Sequence, residues 1–177
     1  TFAGDNIQAA VNELKKSCDG LELAQRSSLL YTQAGFYREA AALLEQAVFE
    51  GKVPPDAGAI RSWGGKVTFD LAILLTDLAL AVTLSSSSVV ELERAVEYYR
   101  LALGGLPDEL PEKSECMLRL GLVQKMRGDL KAYRKWVAQA IEREPRLREK
   151  LDRLERGDGR VASTAPDRQL LDYLRSR

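Results

Sequence analysis

The segment from Glu115 to Pro145 constrains the fold more than any other part of the chain, because it has the pattern of two packed helices joined by a short turn. Apolar residues recur at helical spacing on both sides of Gly128-Asp129, which supplies a helix stop followed by a helix start. Pro145 disfavours helical geometry in the residue before it, so the second helix is expected to end at Glu144. The facing apolar side chains of this predicted hairpin are Leu118, Leu122, Val123 and Met126 on the first helix, and Leu130, Tyr133, Val137, Ala140 and Ile141 on the second.

The same pattern occurs twice more, upstream of this segment. Apolar positions at helical spacing lie on both sides of Gly35 between residues 21 and 50, which predicts another hairpin. The stretch 67–84 is apolar nearly all round, and an amphipathic stretch follows the serines at 85–88. A helix that is apolar on all sides is expected to be covered on several sides, so 67–84 should be the most buried element. Strand alternation is nowhere sustained, and we therefore predict an all-helical fold.

The spacing of small residues in the third hairpin resembles the tetratricopeptide repeat. Gly121, Gly128, Ala140 and Pro145 lie at successive intervals of 7, 12 and 5 residues. The resemblance covers about residues 21–147 and implies an all-α, right-handed superhelix of antiparallel helix pairs. It divides the chain into an N-terminal helix at 1–20, degenerate hairpins at 21–54, 67–109 and 114–147, a capping helix that ends near 156, and a linker with a short terminal helix at 157–177.

The sequence departs from this repeat in two places. Residues 52–66 are rich in proline and glycine and separate Ala40 from Ala95 by 55 positions, whereas an uninterrupted repeat has about 34. We therefore expect an insertion between the first two hairpins, with Trp63 either folded onto the core or exposed as a binding residue. In the middle hairpin Val90 stands where the turn glycine is expected, so the serine run is expected to form a longer turn.

Composition argues against catalysis and metal binding. The chain has no histidine and two cysteines, Cys18 and Cys116, which are far apart in sequence. The common general base is therefore missing, and no paired-ligand spacing is present. We expect both cysteines to be small buried side chains, and we predict no enzymatic activity, no cofactor and no metal.

The long apolar stretch 67–84 has about the length of a membrane span, but it contains Asp70 and Asp77. Each carboxylate would cost about 2.5–3.5 kcal/mol at the centre of a bilayer. We therefore predict no membrane insertion. The chain begins at Thr1, which indicates a trimmed or processed product, so the sequence leaves the compartment open between the cytoplasm and an organelle interior.

Charge is distributed unevenly although the total is zero. Residues 1–112 contain nine Lys and Arg against sixteen Asp and Glu, and the remaining residues contain seventeen against ten. Three interpretations are open: solvated helix faces without a role, a basic surface for an acidic partner, or head-to-tail self-association. A neutral total charge and the lack of a repeated base-reading pair argue against binding to nucleic acid.

In the tetratricopeptide family the first helices of successive repeats line a concave groove. The resemblance therefore implies a scaffold or adaptor that binds a peptide or helix of another protein, which is expected to be acidic if the basic half recognises it. The alternatives are a self-assembling structural unit and a regulatory domain of a larger protein. The carboxylate clamp of some family members is not matched, because Gln25 and Leu29 stand at its positions. The candidate partner-binding residues are Gln25, Tyr31, Gln33, Asp70, Asp77, Arg119, Gln124 and Lys125 on first helices, and Trp63 in the insertion.

Overall fold

The computed structural model describes residues 2–52 and 56–156, and these residues form helices and no strand. This confirms the predicted all-α class. The predicted linker and terminal helix at 157–177 lie outside the described residues. The helices are α1 (Phe2–Leu14), α2 (Gly20–Gln33), α3 (Tyr37–Val48), α4 (Ala57–Arg61), α5 (Phe69–Ser85), α6 (Val89–Gly105), α7 (Pro111–Met126), α8 (Leu130–Arg143) and α9 (Leu147–Glu155).

Side-chain caps fix where several of these helices begin. Asp129 accepts a hydrogen bond from the backbone N–H of Ala132 at 2.9 Å, which starts α8 directly after the turn at Gly128. At α6, Ser88 accepts from the N–H of Glu91, and the Glu91 carboxylate accepts from the N–H of Ser87. This arrangement resembles a capping box, except that Glu91 accepts from the residue before the N-cap. The serine run therefore replaces the missing turn glycine by supplying a helix start.

Consecutive helices pack against each other in three pairs, α2 with α3, α5 with α6, and α7 with α8, and α3 packs against α5 at least as extensively as against α2. The first pair contacts the second chiefly through α3 against α5, and the second contacts the third through α6 against α7. Gly121 allows α7 and α8 to approach closely, because a Cβ atom placed there would lie 3.0 Å from Cγ2 of Val137. Four alanines on the paired helices are also completely buried, namely Ala40, Ala95, Ala102 and Ala140.

Helix α5 is the most enclosed element, as its sequence predicts, and most of its side chains from Leu74 to Leu84 are buried. Within the described ranges, no helix is both long enough and apolar enough to cross a membrane. The Phe69 side chain departs from the expectation of burial on all sides, because 43% of it is exposed at the start of α5. Helix α9 covers the end of the third pair with Leu147, Leu151 and Leu154, which are all buried.

The segment 52–66 contains a short helix, α4, that the sequence analysis did not predict. Asp56 caps this helix by accepting from the N–H of Ala59 at 2.8 Å. Ile60 is fully buried, and Nη2 of Arg61 lies 2.7 Å from Oε1 of Glu97 on α6. The insertion is therefore packed against the second helix pair through a buried apolar side chain and an ion pair.

Candidate partner-binding groove

A groove of about 390 Å³ lies between the N-terminal halves of α2 and α5. Its apolar surface includes two large side chains that remain accessible, Leu21 at 37% and Phe69 at 43%. Ile73, one turn along from Phe69, is partly buried and packs against the core. Exposed large apolar side chains that adjoin a groove are typical of protein-binding sites. The remaining lining residues are Glu22, Gln25, Asp70 and Leu74.

The polar side chains in this groove are acidic or neutral. Glu22 pairs with Arg26 one turn later at 2.8 Å, whereas Asp70 is exposed at the first turn of α5. No lysine or arginine lines the groove itself. The groove therefore offers an apolar surface with a negative edge, which suits a segment that carries an apolar side chain beside a cation or a hydrogen-bond donor.

Three of the predicted groove residues, from three different first helices, interact in one cluster. The Gln25 amide on α2 hydrogen-bonds the carboxyl of Asp77 on α5, and the charge of Arg119 on α7 also acts on this carboxyl. Burial nevertheless dominates and raises the pKa of Asp77 from its ordinary 3.8 to about 6. The buried Tyr99 of α6 also interacts electrostatically with Asp77 and Arg119. The cluster therefore joins α2, α5 and α7 around a largely buried carboxyl.

We expect the stability of the protein relative to its Asp77→Asn variant to depend on pH. The folded state keeps the Asp77 carboxyl protonated to about pH 6, whereas an unfolded chain releases that proton near pH 3.9. The stabilisation is therefore complete below about pH 4 and is lost as pH rises through about 6. Relative to the variant, the wild type should lose at most about 3 kcal/mol of unfolding free energy over this range.

Urea denaturation of both proteins at several pH values measures this difference. Since the two chains differ only at Asp77, the contributions of all other titrating groups to the difference in unfolding free energy largely cancel. A difference that stays constant between about pH 4 and pH 7, or that grows in favour of the wild type, would contradict the raised pKa.

The other predicted residues of the third hairpin lie elsewhere. Gln124 is a buried residue whose Oε1 accepts from Nη1 of Arg127 at 2.8 Å, so it does not face a groove. The Nζ atom of Lys125 lies 2.9 Å from Oε1 of Glu155 on α9 and 5.0 Å from the centre of the Tyr133 ring. Arg119 is half-buried, although the sequence predicted an exposed side chain. An acidic ligand held jointly by Arg119 and Lys125 therefore has little support.

Tyr31 and Gln33 lie on the side of α2 that faces α1. Tyr31 is half-buried and its hydroxyl lies 3.5 Å from Oε1 of Gln8, while Gln33 is exposed. Gln33 lines an open, mainly apolar depression of about 730 Å³ between α1 and α2. These two residues are thus separate from Gln25 and Asp70. The other lining residues of the depression are Ala10, Glu13, Leu14, Ser17, Arg26, Leu29 and Leu30.

Trp63 is folded back onto the core. Its ring packs edge-on against Phe49 with 5.2 Å between the ring centres, and the side chain is only partly exposed. Phe49 in turn packs against Tyr98 of α6. The contacts of Trp63 are therefore those of a residue that attaches the insertion to the helix pairs.

The groove residues that sequence reasoning missed are Leu21, Glu22, Phe69, Ile73 and Leu74. Leu21 and Phe69 stand near the starts of their helices, and both are exposed. The sequence signal for Leu21 and Phe69 is an apolar side chain in the first turn of a helix. Periodicity alone assigns such a side chain to the core rather than to a groove.

Cys18 and Cys116 are both free thiols, and only Cys116 is buried. No cluster of side chains suited to a metal ion occurs in the described ranges. Comparison with protein-family models, with curated proteins and with solved structures found no match for the chain.

Proposed function

We propose that this chain is a tetratricopeptide-like scaffold that binds a peptide or helix of another protein in the groove between α2 and α5. The observation that carries the proposal is the exposure of Phe69 and Leu21 beside the polar groups of Gln25 and Asp70. An apolar side chain of the partner would be buried against the two apolar residues, and the polar groups would set its register. A binding function rather than catalysis also agrees with the absence of histidine.

The right-handed superhelix of antiparallel pairs is part of this proposal. It is supported by the order of the contacts, in which each helix pair packs on the next along the chain. It is also supported by the cluster of Gln25, Asp77 and Arg119, because residues of α2, α5 and α7 come together there. In such an arrangement the surface of the first helices is the usual peptide site.

We expect Phe69→Ala to weaken peptide binding at least about tenfold, since truncating a large apolar residue at the centre of a site commonly costs more than 1 kcal/mol. The probe is a peptide selected against the wild-type chain from a random display library, and fluorescence anisotropy measures its affinity. Because 43% of Phe69 is exposed, the melting temperature should change less than it would on truncation of a fully buried residue.

The matched control is Val90→Ala, which truncates an apolar residue that is 68% exposed on α6, outside the groove. Affinity should be unchanged in this variant. Failure to select any binding peptide, or equal weakening by the two substitutions, would remove the groove as the site.

Self-assembly is the second candidate function, and the depression between α1 and α2 favours it. This surface is open, mainly apolar and adjoined by the exposed Leu29, so it could receive a second copy of the chain. Light scattering separates the two candidates, because self-assembly requires a mass that rises with protein concentration whereas peptide binding to a monomer does not.

A further inference from the structure

The exposed side of helix α8 carries a cluster of basic residues that the proposed groove does not use. Lys131, Arg134 and Lys135 are all exposed, and their spacing places them on one side of the helix. Ala138 continues the same exposed stripe by about one turn. We call the stripe formed by Lys131, Arg134, Lys135 and Ala138 the basic α8 face.

The charges of the basic α8 face are not neutralised within the described part of the chain. Nearby bases have carboxylate partners: Arg127 lies 2.8 Å from Glu93, and Arg143 lies 3.4 Å from Asp108. None of the three bases on the α8 face forms an ion pair with a described residue, and α8 contains no acidic residue before Glu142.

This arrangement is unfavourable for the isolated helix. Like charges three and four positions apart repel each other, and positive side chains near a helix N-terminus oppose the helix dipole. Asp129 carries the carboxylate nearest to the cluster in the sequence, and this carboxylate already caps α8. Folding therefore does not explain the cluster, whereas an external acidic partner would relieve the repulsion on binding.

The surroundings of the cluster indicate a protein partner. Leu130 is 49% exposed beside Lys131 and offers an apolar contact, and the small Ala138 lets a helix approach closely. The ring of Trp136 is partly buried against the core, and Nζ of Lys135 lies 5.7 Å from the centre of this ring. The Trp136 ring is therefore poorly placed to stack on a nucleic-acid base. A single exposed leucine is also too little apolar surface for a membrane-binding helix.

We propose that the basic α8 face is a second interaction surface, which binds an acidic helical segment of another protein. Carboxylates of that segment pair with Lys131, Arg134 and Lys135, and an apolar side chain packs on Leu130. The surface is separate from the groove between α2 and α5, so its existence does not depend on the function proposed for that groove.

The test uses the full chain and a fluorescent, glutamate-rich helical peptide with leucine at every fourth position. We expect saturable binding that weakens as salt rises from about 50 to 500 mM, because exposed charges are screened over this range. The triple variant Lys131→Glu, Arg134→Glu, Lys135→Glu should weaken binding at least about tenfold without lowering the melting temperature, since acidic residues suit the start of a helix.

The matched control reverses the same number of charges at Lys15, Lys52 and Lys66, which are exposed and form no ion pair with a described residue. The affinity of this control variant for the peptide should stay within about threefold of the wild-type affinity. If the charge-reversed α8 variant fails to fold, the triple glutamine variant at the same three positions should show the same loss of binding.

Several outcomes would overturn the proposal. Absence of peptide binding, or an equal loss in both triple variants, would mean that the α8 face has no specific role. Tighter binding of a single-stranded RNA or of phosphatidylserine vesicles, with the same sensitivity to the α8 variant, would assign the surface to another class of partner. A dimer that only the α8 variant dissociates would identify a second copy as the occupant.

Discussion

Gly105→Ala is expected to lower the free energy of unfolding by about 1–3 kcal/mol, because the end of α6 approaches the start of α5 too closely to admit a side chain. A methyl group at Gly105 would lie 2.5 Å from Cγ1 of Val67, 2.9 Å from the backbone oxygen of Thr68 and 3.0 Å from Cβ of Ala72. The Val67 side chain could rotate, but the Thr68 carbonyl belongs to the backbone that starts α5. Relief of this strain therefore requires α5 and α6 to move relative to each other.

The adjacent glycine provides a matched control. Gly104 lies on the same helix, and a Cβ atom there would meet nothing within 4 Å. Gly104→Ala should leave stability unchanged or raise it by up to about 1 kcal/mol, since alanine is the better helix former. Chemical denaturation of both variants measures the contrast. Equal unfolding free energies for the two would falsify the close contact between α5 and α6.

Glu45→Ala is expected to destabilise the fold by about 2–3 kcal/mol, because it removes the carboxylate shared by a buried phenol and a partly buried guanidinium. Glu45 on α3 accepts a hydrogen bond from the Tyr98 hydroxyl at 2.7 Å and forms an ion pair with Arg94. Tyr98 is fully buried, and Arg94 is partly buried with its Nε already lacking a partner. Removing the carboxylate therefore leaves the buried Tyr98 hydroxyl without its acceptor, and it leaves the Arg94 guanidinium with only the Tyr98 oxygen, 3.3 Å away, as an acceptor in this cluster.

A double-mutant cycle separates this explanation from a simple loss of packing. Arg94→Leu removes the cation, so the combined Glu45→Ala, Arg94→Leu variant should lose at least about 1 kcal/mol less than the sum of the two single variants. Thermal and urea denaturation of the four proteins supply the free energies. Strictly additive losses would show that Glu45 and Arg94 do not stabilise each other.

Helical periodicity predicted the main helices because their apolar faces repeat over several turns. The turn at Gly128-Asp129 is an example: Gly128 has a φ of 85° and Asp129 caps the next helix, so both residues signal the turn locally. Helix α4 is only five residues long, and Ile60 is the one large apolar side chain in it. So short a helix has no periodicity to detect, although Asp56 gave a capping signal.

Long-range contacts decided which polar residues face solvent, and these contacts could not be obtained from periodicity. Gln124 is buried, and its amide oxygen accepts from Arg127, which also pairs with Glu93 on α6. Asp77 meets Gln25 across 52 positions of the sequence. The sequence correctly placed these residues on helices, but only the packing of those helices determines which side chains remain available to a partner.

The enclosure of α5 makes the fold more cooperative than a simple row of repeats. In an ideal repeat array each unit contacts only its neighbours, and stability is close to a sum of local terms. Here α5 contributes Leu75 to the core shared with α3 and Leu80 to the core shared with α7 and α9. Loss of α5 would therefore disrupt both cores at once. A ligand that binds at the start of α5 and stabilises this helix would stabilise all three helix pairs. It would therefore also protect the helices at the far end of the described chain from unfolding.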